Sequence, residues 1–496
     1  MPRRSLVAAV LAVAGALAAI PAAAGPTPAS PPIRSSYPFM RDAQGRAVFF
    51  HGVNAAWKHA PYYPPSSLFG DQKSYFDERD ATFLAETGLT HVRLGVFFAG
   101  VMPERGRIDT AYLDRIAKIV NLLGRHGIKV LLDFHQDMYN EAFDGEGFPD
   151  WAVITDGIPA TNCCGFPVNY FTPAASHAFD NFWLNRQGLQ DQYAKAWVAV
   201  AKRFRNSSAV MGYDLFNEPW AGLQWPTCIN VLVGCPAFEN LVLQPFFEKI
   251  ISAIRTVDHS HIAFWEAQQW TSGAGVQDWM GTLHPVRDPA ANTGLSFHDY
   301  CTATLGLPEP VVRATDVPCD LSETLVFGTH LRAAERNGST PLLSEFGSSD
   351  DVIDISRLAD LADRNMVSWD YWAYANWDDP TGNVPEEGLF TDDLDRPGSL
   401  KEDKAAILIR TYPQAVAGTP LSFAFDPDTA RFSLAYGTDP SIHAPTVVFV
   451  PVTFHYPRGY RVTVSGPARV VSSPNTSHLR LETTGSGVVT ITVTPR

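Results

Sequence analysis

The feature that most restricts the fold of this 496-residue chain is a series of eight short apolar runs with helical patterns between several of them. Such runs are typical of buried strands, and the spacing of apolar residues in 112–127 and 246–258 is typical of helices. Strands that are apolar along their whole length and alternate with helices indicate a parallel sheet covered by helices. The runs are 48–54, 90–97, 129–137, 210–219, 261–267, 294–301, 341–347 and 367–376.

Eight strand–helix units over roughly 350 residues predict an α/β fold of the (β/α)₈ barrel type with long loop insertions. A doubly wound open sheet is the alternative, but no glycine-rich phosphate loop supports it. Polar or amphipathic residues lie near the carboxyl ends of all eight runs: Asn54, Arg93, His135 with Asp137, Asn217 with Glu218, Glu266, His298 with Tyr300, Glu345, and Trp372. In a (β/α)₈ barrel that face carries the active site. Because burial of charge is costly, eight polar strand ends in succession indicate function rather than chance.

The N-terminus has the pattern of a secretory signal peptide. A basic start (MPRRS), an apolar run over 6–20 and the small residues Ala22, Ala23 and Ala24 predict cleavage near Ala24 and secretion. A membrane anchor is the alternative, although an apolar run of about 15 residues is short for a span. The Pro- and Ser-rich leader over 25–36 is predicted to be flexible.

The pattern of apolar and polar residues in the sequence changes near residue 412. We assign residues 37–412 to the catalytic barrel. After them apolar and polar residues alternate between turn residues, which predicts a C-terminal antiparallel β-sandwich over 413–496. We find no catalytic constellation in this second domain.

Charge and cysteine content narrow the function. The net charge is −14, and no basic block follows the N-terminus, which argues against nucleic acid as a partner and against strong electrostatic attachment to anionic membranes.

The pairs Cys228–Cys235 and Cys301–Cys319 are predicted disulfides, as suits an exported chain, while Cys163 and Cys164 stay unassigned. A zinc site is the rival interpretation, but no paired C-x-x-C or H-E-x-x-H spacing is present.

Two acids are the candidate catalytic residues. Glu218 ends the fourth strand (DLFNEPW) and Glu345 ends the seventh (LLSEFG). Strands four and seven face each other across an eight-stranded barrel, so both side chains reach one cleft. Two opposed carboxylates, one protonated and one ionised, are the minimum machinery for glycoside hydrolysis.

The neighbours of the two acids predict their roles. We expect Arg93, Tyr300 and His298 around Glu345, where a cation and a phenol donor keep a nucleophilic carboxylate ionised. Asn217 is expected to donate to a sugar 2-hydroxyl, which makes Glu218 the acid/base. This chemistry requires no metal and no cofactor.

Together these motifs resemble the retaining glycoside hydrolases of clan A, family five, over about residues 45–380. The matching features are Arg on strand two, DFH on strand three, NEP after strand four, H-x-Y on strand six, Glu after strand seven and Trp on strand eight. The resemblance implies hydrolysis of β-glycosides by double displacement, with Glu218 as acid/base and Glu345 as nucleophile.

A narrower resemblance is to the endoglycoceramidases. It rests on HGVNAAWKHAPY, FHQDMYNEAF with GEGFPDWA, FNEPWAG, LLSEFGSSD and YWAYANWDDP. These secreted bacterial enzymes cut the β-glucosyl–ceramide bond of glycosphingolipids, releasing intact oligosaccharide and ceramide, and they too carry a C-terminal β-sandwich. The resemblance implies that the glucose next to the scissile bond is bound by Lys58, His135, Asp137, Asn217 and Tyr300. It also implies a floor formed by Trp372, with Trp369 as the alternative.

Other functions remain open at this point. Within the clan, the alternatives are a glucosylceramidase, an endo-galactosylceramidase and an endo-β-glucanase. A different class is a non-catalytic glycolipid-binding protein, which would be expected to have lost one carboxylate. Apolar insertions at 147–154, 163–171 and 220–226 favour a lipid slot at the barrel mouth and contact with a membrane or micelle surface. We expect a monomer.

Overall fold

The structure is a computed structural model in which residues 33–230, 233–301, 316–394 and 398–496 are described. It contains an eight-stranded barrel and two antiparallel sheets. The predicted signal peptide (1–24) and residues 25–32 of the predicted leader lie outside the described residues. Among the residues that are described, no helix has both the length and the apolar character to cross a membrane.

The strands are β1 (Arg34–Ser36), β2 (Phe39–Arg41), β3 (Ala47–Val48), β4 (His51–Ala55), β5 (His91–Val96), β6 (Lys129–Phe134), β7 (Val210–Asp214), β8 (Ile262–Glu266), β9 (Thr293–Asp299), β10 (Thr340–Phe346), β11 (Ser368–Tyr371), β12 (Tyr412–Val416), β13 (Gly418–Asp426), β14 (Arg431–Thr438), β15 (Thr446–Phe449), β16 (Tyr460–Ser465), β17 (Ala468–Val470), β18 (His478–Thr483) and β19 (Val488–Pro495). The helices are α1 (Glu78–Thr87), α2 (Phe98–Val101), α3 (Thr110–Arg125), α4 (Pro173–Trp183), α5 (Leu189–Phe204), α6 (Trp225–Cys228), α7 (Pro236–Phe238), α8 (Gln244–Ile254), α9 (Gln269–Ala274), α10 (Asp316–Asn337), α11 (Val352–Arg364), α12 (Glu402–Leu408) and α13 (Val452–His455). Short 3₁₀ turns cover Ser67–Phe69, Glu141–Phe143, Asp150–Ala152, Val168–Phe171, Arg186–Gly188 and Gly222–Gln224, and a π-helical turn covers Glu239–Leu243.

Strands β4 to β11 close into a barrel in chain order, and every neighbouring pair is parallel. All residues of these strands are buried except the half-buried Lys129. Burial on both faces of the sheet explains why the strands read as nearly continuous apolar runs. The predicted (β/α)₈ barrel is therefore confirmed, and the open doubly wound sheet is excluded.

The C-terminal domain is a sandwich of two antiparallel sheets. One sheet has the strand order β13-β14-β19-β16, and the other has the order β1-β2-β3-β12-β15-β18-β17. Apolar residues from both sheets, such as Leu434 and Leu479, form one shared core. The alternating pattern that predicts a sandwich thus reflects strands with one buried and one exposed face, and the predicted sandwich is confirmed.

The N-terminal boundary of the barrel differs from the prediction. Arg34–Ser36, which we assigned to a flexible leader, form a strand paired with Phe39–Arg41. Strand β3 then pairs with β12 of the C-terminal domain. Residues 34–48 therefore complete a sheet of the sandwich, and the barrel begins at His51 rather than at 37. Strands of two or three residues carry no readable periodicity, so the sequence pattern did not reveal them.

Contacts at the amino-terminal end of the barrel join the two domains. The His51 ring stacks on the rings of Tyr412 and Trp369, with centroids 3.8 and 4.1 Å away. The Arg410 guanidinium pairs with Asp363 at 2.9 Å and lies over the Phe425 ring of the sandwich. The domain junction thus lies at the face opposite the strands' carboxyl ends, where it leaves those ends free.

The six cysteines form three disulfides. The predicted pairs Cys228–Cys235 and Cys301–Cys319 are confirmed. Cys163 and Cys164, which the sequence left unassigned, are bonded to each other. Cys228 and Cys301 follow the barrel strands β7 and β9, respectively, so both longer-range disulfides belong to chain segments that leave the carboxyl face of the barrel.

Candidate active site

The predicted site residues meet at the carboxyl face of the barrel because all eight parallel strands end there. Lys58 follows β4, Arg93 lies in β5, His135 and Asp137 follow β6, Asn217 and Glu218 follow β7, His298 lies in β9, Tyr300 follows it, Glu345 lies in β10 and Trp372 follows β11. Hydrogen bonds, ion pairs and ring contacts connect these side chains in one network. They therefore form one site, as the sequence predicts.

The two candidate catalytic carboxylates face each other at short range. An oxygen of Glu218 and an oxygen of Glu345 lie within 4.8 Å of each other, with a nitrogen of His298 also within that distance of both. The side chains are 13% and 6% exposed, respectively. Two like charges so close in a poorly hydrated pocket cannot both ionise easily, so their different neighbours decide which one holds a proton.

Glu345 lies among donors that favour its ionised form. Its Oε1 accepts a 2.5 Å hydrogen bond from Arg93 Nη1, and its Oε2 accepts a 2.9 Å bond from the Tyr300 hydroxyl. Arg93 is itself buried, and it pairs with two further carboxylates, Asp214 at 2.9 Å and Asp133 at 3.1 Å. A fixed guanidinium and a phenol donor stabilise the charge of Glu345 and orient both of its oxygens.

Glu218 lies in a setting that favours its protonated form. Burial, together with the nearby charge of Asp137, raises the pKa of Glu218 to about 7, although His135 and other cations oppose the shift. Its Oε2 accepts a 3.0 Å hydrogen bond from Gln269 Nε2, and its backbone N–H donates to Glu266 Oε2 at 2.9 Å. A carboxyl group with such a pKa can give up a proton and take it back near neutral pH.

The backbone of Glu218 is held in an unusual conformation. Its φ is +45°, in the left-handed region, which costs a residue with a side chain about 1–3 kcal/mol. The hydrogen bond from its N–H to Glu266, a residue whose carboxylate also contacts Arg93 at 3.3 Å, fixes that turn. The turn at Asn-Glu-Pro thereby aims the Glu218 carboxyl into the cleft instead of along the strand.

His298 lies beside Glu345, as predicted, and it also contacts Glu218. Its Nδ1 is 3.4 Å from Glu345 Oε2 and 2.9 Å from Glu218 Oε1. Burial lowers the pKa of His298 to about 4, so the imidazole is neutral near neutral pH. The cation beside Glu345 is therefore Arg93 alone, and His298 serves as a neutral hydrogen-bond partner of Glu218.

Lys58 lies at the centre of an acidic pocket on the opposite side of the cleft. Its ammonium is 2.8 Å from Asp137, 3.0 Å from Asp379 and 3.7 Å from Glu146. Burial alone would lower the pKa of Lys58, but these carboxylates raise it well above its usual range. The ammonium also lies over the Trp372 ring, 4.5 Å from its centroid. A charged donor is therefore held beside an aromatic face, an arrangement suited to a sugar.

The structure distinguishes the two tryptophans that the sequence left open. Strand β11 ends at Tyr371, so Trp372 emerges into the site, where its ring stacks on His135 with centroids 5.2 Å apart. Trp369 instead lies at the other end of the strand beside His51. His135 Nδ1 donates to Asp133 Oδ2 at 2.7 Å, and although burial opposes the charged form of the imidazole, Asp133 raises the pKa of His135 to about 10.

The side-chain amide of Asn217 forms hydrogen bonds within the protein and also has a donor that faces the cleft. Its Oδ1 accepts a 2.8 Å hydrogen bond from Arg93 Nη2, which fixes the amide orientation. Its Nδ2 donates one hydrogen bond to the Gln136 carbonyl at 3.0 Å. An amide nitrogen carries two hydrogens, so one N–H of Asn217 remains for the sugar hydroxyl that we predicted.

Sequence reasoning missed several residues of this network. Glu266 was recognised as a strand end, and Glu146 and Asp379 lie in motifs of the family resemblance, but none of the three received a role. Gln269 and Thr381 were not considered. The Thr381 hydroxyl accepts a hydrogen bond from the Lys58 ammonium at 2.7 Å and donates one to Asp137 at 2.9 Å. Asp379, Thr381 and Glu146 lie in loops and Gln269 begins the short helix α9, so no periodic pattern identifies these side chains as functional.

Three side-chain groups among the described residues have the residue types of metal ligands. In the group of Cys301, Cys319 and Glu323, the two cysteines are bonded to each other, and each of the other two groups already contacts a cationic side chain. The group of His135, Asp137 and Glu146 has the Lys58 ammonium 2.8 Å from Asp137. The group of Glu218, His298 and Glu345 has the Arg93 guanidinium against Glu345. Because these cations occupy the positions where a metal charge would be needed, the geometry favours carboxylate chemistry.

An aromatic wall borders the site beyond Glu218. It consists of Phe171, Trp220, Trp225 and Trp270. The ring centroids of neighbouring members lie 4.8–6.2 Å apart. Three of these residues come from the apolar insertions that the sequence indicated at the barrel mouth. The wall adjoins the acid because Gln269, next to Trp270, contacts Glu218. The cleft is thus polar on the Lys58 side and apolar on the Glu218 side.

Comparison with known protein families agrees with this geometry. Residues 42–378 match the cellulase family, glycosyl hydrolase family 5, and residues 410–493 match the glycoside hydrolase family 5 C-terminal domain. The first match covers more than half of the chain and contains every predicted site residue. The family resemblance found in the sequence is therefore confirmed.

Within this family, the chain is similar to proteins with one particular activity. The chain is 33% identical to endoglycoceramidase I of Rhodococcus hoagii (strain 103S), over 91% of this chain and 86% of that protein. It is also 33% identical to an endoglycoceramidase of Cyanea nozakii, over 85% of this chain and 84% of that protein. Among solved structures, it is similar to endo-glycoceramidase II from Rhodococcus sp., with a TM-score of 0.77 and 29% identity over 92% of this chain and 99% of that chain. That enzyme has also been solved as a lactosyl-enzyme intermediate and with ganglioside GM3.

Proposed function

The chain belongs to glycoside hydrolase family 5, and from this premise we propose that it is a secreted, retaining endo-β-glycosidase that separates the intact glycan of a glycosphingolipid from its ceramide. The observation that carries the proposal is the pair Glu218 and Glu345, whose oxygens lie within 4.8 Å of each other. Retaining glycosidases hold their two carboxyl groups about 5–5.5 Å apart, whereas inverting enzymes need about 6.5–9.5 Å to admit a water. The short separation supports double displacement.

The first step joins Glu345 to the sugar. The ionised Glu345 attacks the anomeric carbon as the glycosidic C–O bond breaks, and the Glu218 proton passes to the departing oxygen. Arg93 and Tyr300 keep Glu345 ionised and oriented until the bond forms. The pKa of Glu218, about 7, suits a group that must be protonated at this moment.

The second step releases the glycan with water. Glu218, now ionised, takes a proton from a water molecule as the water oxygen attacks the anomeric carbon and the bond to Glu345 breaks. His298 at 2.9 Å and Gln269 at 3.0 Å contact the two oxygens of Glu218 in both steps. Two inversions at one carbon preserve the β configuration of the released glycan.

The substrate assignment rests on the shape of the cleft and on the relatives. The polar side offers Lys58, His135, Asp137 and the remaining N–H of Asn217 to sugar hydroxyls, above the Trp372 ring. The apolar wall beyond Glu218 suits a lipid leaving group, because Glu218 protonates the leaving oxygen. Relatives at 33% identity are named endoglycoceramidases, and a structural relative was solved with ganglioside GM3. These facts together support a glycosphingolipid substrate.

The cellular setting follows from the same proposal. The signal-peptide pattern at residues 1–24 and the three disulfides support secretion. A glycosphingolipid substrate is presented at a membrane or micelle surface, so the enzyme must approach such a surface. We propose that it does so as a monomer, without a metal or other cofactor.

Product analysis tests the proposal directly. The secreted protein is incubated with a ganglioside and, separately, with carboxymethyl-cellulose, and the products are analysed by mass spectrometry. We expect intact oligosaccharide together with free ceramide from the ganglioside. Stepwise loss of single sugars, or cleavage of cellulose alone, would assign the same two glutamates to a different substrate. No product from either would favour a glycolipid-binding protein.

Replacing Gln269 with leucine is expected to move the high-pH limb of kcat/KM upward by about one pH unit, because a hydrogen bond to an ionised carboxylate is worth about 1.5 kcal/mol. Gln269 Nε2 donates to Glu218 Oε2 at 3.0 Å and so stabilises the ionised acid. Without this donor the pKa of Glu218 rises. The measurement is the pH profile of glycolipid hydrolysis by wild type, Gln269→Leu and Gln192→Leu, a control in the outer helix α5. An unmoved limb with a uniformly lower rate would mean that Gln269 is only structural.

A further inference from the structure

The segment that follows Glu218 has almost no charge. From 219 to 247 the sequence contains a single Asp, Glu, Lys or Arg, which is Glu239, and that side chain is buried. Among the residues of the segment that the structure describes, four large aliphatic side chains are exposed instead: Leu223 by 49%, Ile229 by 43%, Val233 by 52% and Leu241 by 68%. Surface segments of soluble proteins rarely lack charge over such a length, and exposed apolar clusters mark sites of interaction.

Local contacts hold the described residues of this segment in place. The disulfide between Cys228 and Cys235 lies close in sequence to Ile229 and Val233. The Trp279 indole donates to the Val233 carbonyl at 2.6 Å, and the Trp279 backbone N–H donates to the Glu239 carboxylate at 2.6 Å. The single charged residue of the segment, Glu239, is therefore buried and bonded to the Trp279 backbone, and it does not face the solvent. Because the backbone is restrained in this way, the exposed aliphatic side chains cannot easily fold inward to avoid water.

The segment continues the apolar side of the catalytic cleft. Trp220 and Trp225, at its start, belong to the aromatic wall, with ring centroids 6.2 Å apart. Leu223 lies between them in the turn Gly222–Gln224. The wall reaches Glu218 through Trp270 and its neighbour Gln269. The exposed Leu223 therefore lies between two residues of the aromatic wall that borders the Glu218 side of the cleft.

We propose that Leu223, Ile229, Val233 and Leu241 form a docking surface that seats the protein on an uncharged lipid bilayer, with the leaving-group side of the cleft turned toward the lipid. The inference rests on the proposed function, since it assigns the surface from which a glycolipid enters that cleft. The charge of the protein indicates whether the bilayer is anionic or uncharged. The protein carries a net charge of −14 and the docking surface has no Lys or Arg, so anionic headgroups are not attracted. The contact is with zwitterionic or neutral lipid, through apolar insertion alone.

Vesicle flotation tests the docking surface without any turnover. The probe is a phosphatidylcholine vesicle without glycolipid, and the proteins are wild type and the variant Leu223→Ser/Ile229→Ser/Val233→Ser/Leu241→Ser. We expect the partition coefficient of the variant to be about 80-fold lower, because each of the four half-exposed aliphatic side chains contributes about threefold when it leaves water. Adding phosphatidylserine to the vesicles, or changing the salt concentration, is expected to leave wild-type binding unchanged or weaker.

A matched pair of single substitutions separates docking from general surface effects. Ile229→Ser is compared with Ile353→Ser, whose side chain is 54% exposed at the start of α11 between Asp351 and Asp354. We expect about threefold weaker partitioning for Ile229→Ser and no change for Ile353→Ser. Equal losses in the two variants would overturn the assignment of the surface.

Activity measurements separate failure of docking from failure of the proposed function. On an aryl lactoside in solution and on glycolipid in detergent micelles, the fourfold variant is expected to match wild type within twofold. On glycolipid in vesicles it should lose activity in proportion to its binding. If the wild-type protein floats with vesicles but cleaves no glycolipid, the result contradicts the proposed function and supports the docking surface. Wild-type protein that does not bind phosphatidylcholine vesicles, or a dimer that the fourfold substitution dissociates, would overturn the docking surface.

Discussion

Replacing Glu345 with serine is expected to lower kcat/KM by about 10⁴-fold or more, both for lactosylceramide and for an activated aryl lactoside. Both substrates need a nucleophile in the first step, whatever the quality of their leaving group. Serine is too short to reach the anomeric carbon from this position, and it is not ionised. The loss should therefore be independent of the leaving group, which distinguishes the nucleophile from the acid.

The structure predicts that the Glu345→Ser protein still folds. Arg93 loses one partner but keeps ion pairs with Asp214 at 2.9 Å and Asp133 at 3.1 Å. The guanidinium is therefore not left buried without a counter-charge, which is the usual cause of a large loss of stability. Thermal unfolding should be compared among wild type, Glu345→Ser and Glu402→Ser, a control on the exposed first turn of α12.

Trapping of the covalent intermediate is the deciding measurement. An activated 2-deoxy-2-fluoro-lactoside slows both steps, but the good leaving group still allows the first, so the glycosyl-enzyme accumulates. Intact mass spectrometry should detect the added fluorolactosyl group on wild type and on Glu402→Ser, and peptide mapping should locate it at Glu345. A folded Glu345→Ser protein that still accumulates the adduct would remove Glu345 from the mechanism.

The barrel and the catalytic pair were predictable because they depend on regular features. Strand runs of similar length recur along the chain, and the parallel topology sends every strand end to one face. Glu345 lies in the seventh strand of the barrel and Glu218 follows the fourth, and the carboxyl ends of both strands lie at one face. Strand order therefore brings both residues to this face, and the turn at Asn-Glu-Pro then places the Glu218 carboxyl within 4.8 Å of Glu345.

The register of the eighth strand was not predictable. The run 367–376 is apolar on both faces, so its pattern fits a strand that ends at several positions. The observed strand stops at Tyr371, which sends Trp372 into the cleft and leaves Trp369 near the domain junction. Pairing with β4 and β10 sets this register, and such long-range pairing has no local sequence signal.

Side-chain partners were less predictable than positions. His298 was expected on the correct face, but its preference for Glu218 over Glu345 depends on a difference between 2.9 and 3.4 Å. The acidic surroundings of Lys58 depend on Asp379 and Thr381, from a loop without periodicity. The N-terminal strands of the sandwich escaped notice for the same reason, since Ala47–Val48 is too short to carry a pattern.

Replacing Glu218 with glutamine is expected to lower kcat/KM for lactosylceramide by about 10³-fold, because general acid catalysis of this kind contributes about 10²–10⁴-fold. For 2,4-dinitrophenyl lactoside the same substitution should change kcat/KM only a few fold, since this leaving group departs without a proton. Glutamine preserves the size of the side chain and its contact with Gln269, so binding of the glycolipid should be retained. The contrast between the two substrates is the signature of an acid.

The pH dependence should change in the same variant. In wild type, Glu218 has a pKa of about 7, so its protonated fraction falls as the pH rises through that value. We expect kcat/KM for lactosylceramide to fall tenfold per unit above about pH 7, and Glu218→Gln to lack this limb. The control is Glu104→Gln, whose side chain is 65% exposed and far from the chemistry, and which should keep the wild-type profile.

The second step provides an independent check of the same residue. Without a base to activate water, the Glu218→Gln enzyme should accumulate the glycosyl-enzyme from dinitrophenyl lactoside, so that kcat and KM fall together. Azide needs no deprotonation, and it should restore kcat and yield β-lactosyl azide, because attack on the covalent intermediate returns the original configuration. A product of α configuration would mean direct displacement by azide and an inverting enzyme. No rescue, with equal losses on both substrates, would assign Glu218 a structural role and move the acid to another group within reach of the leaving oxygen.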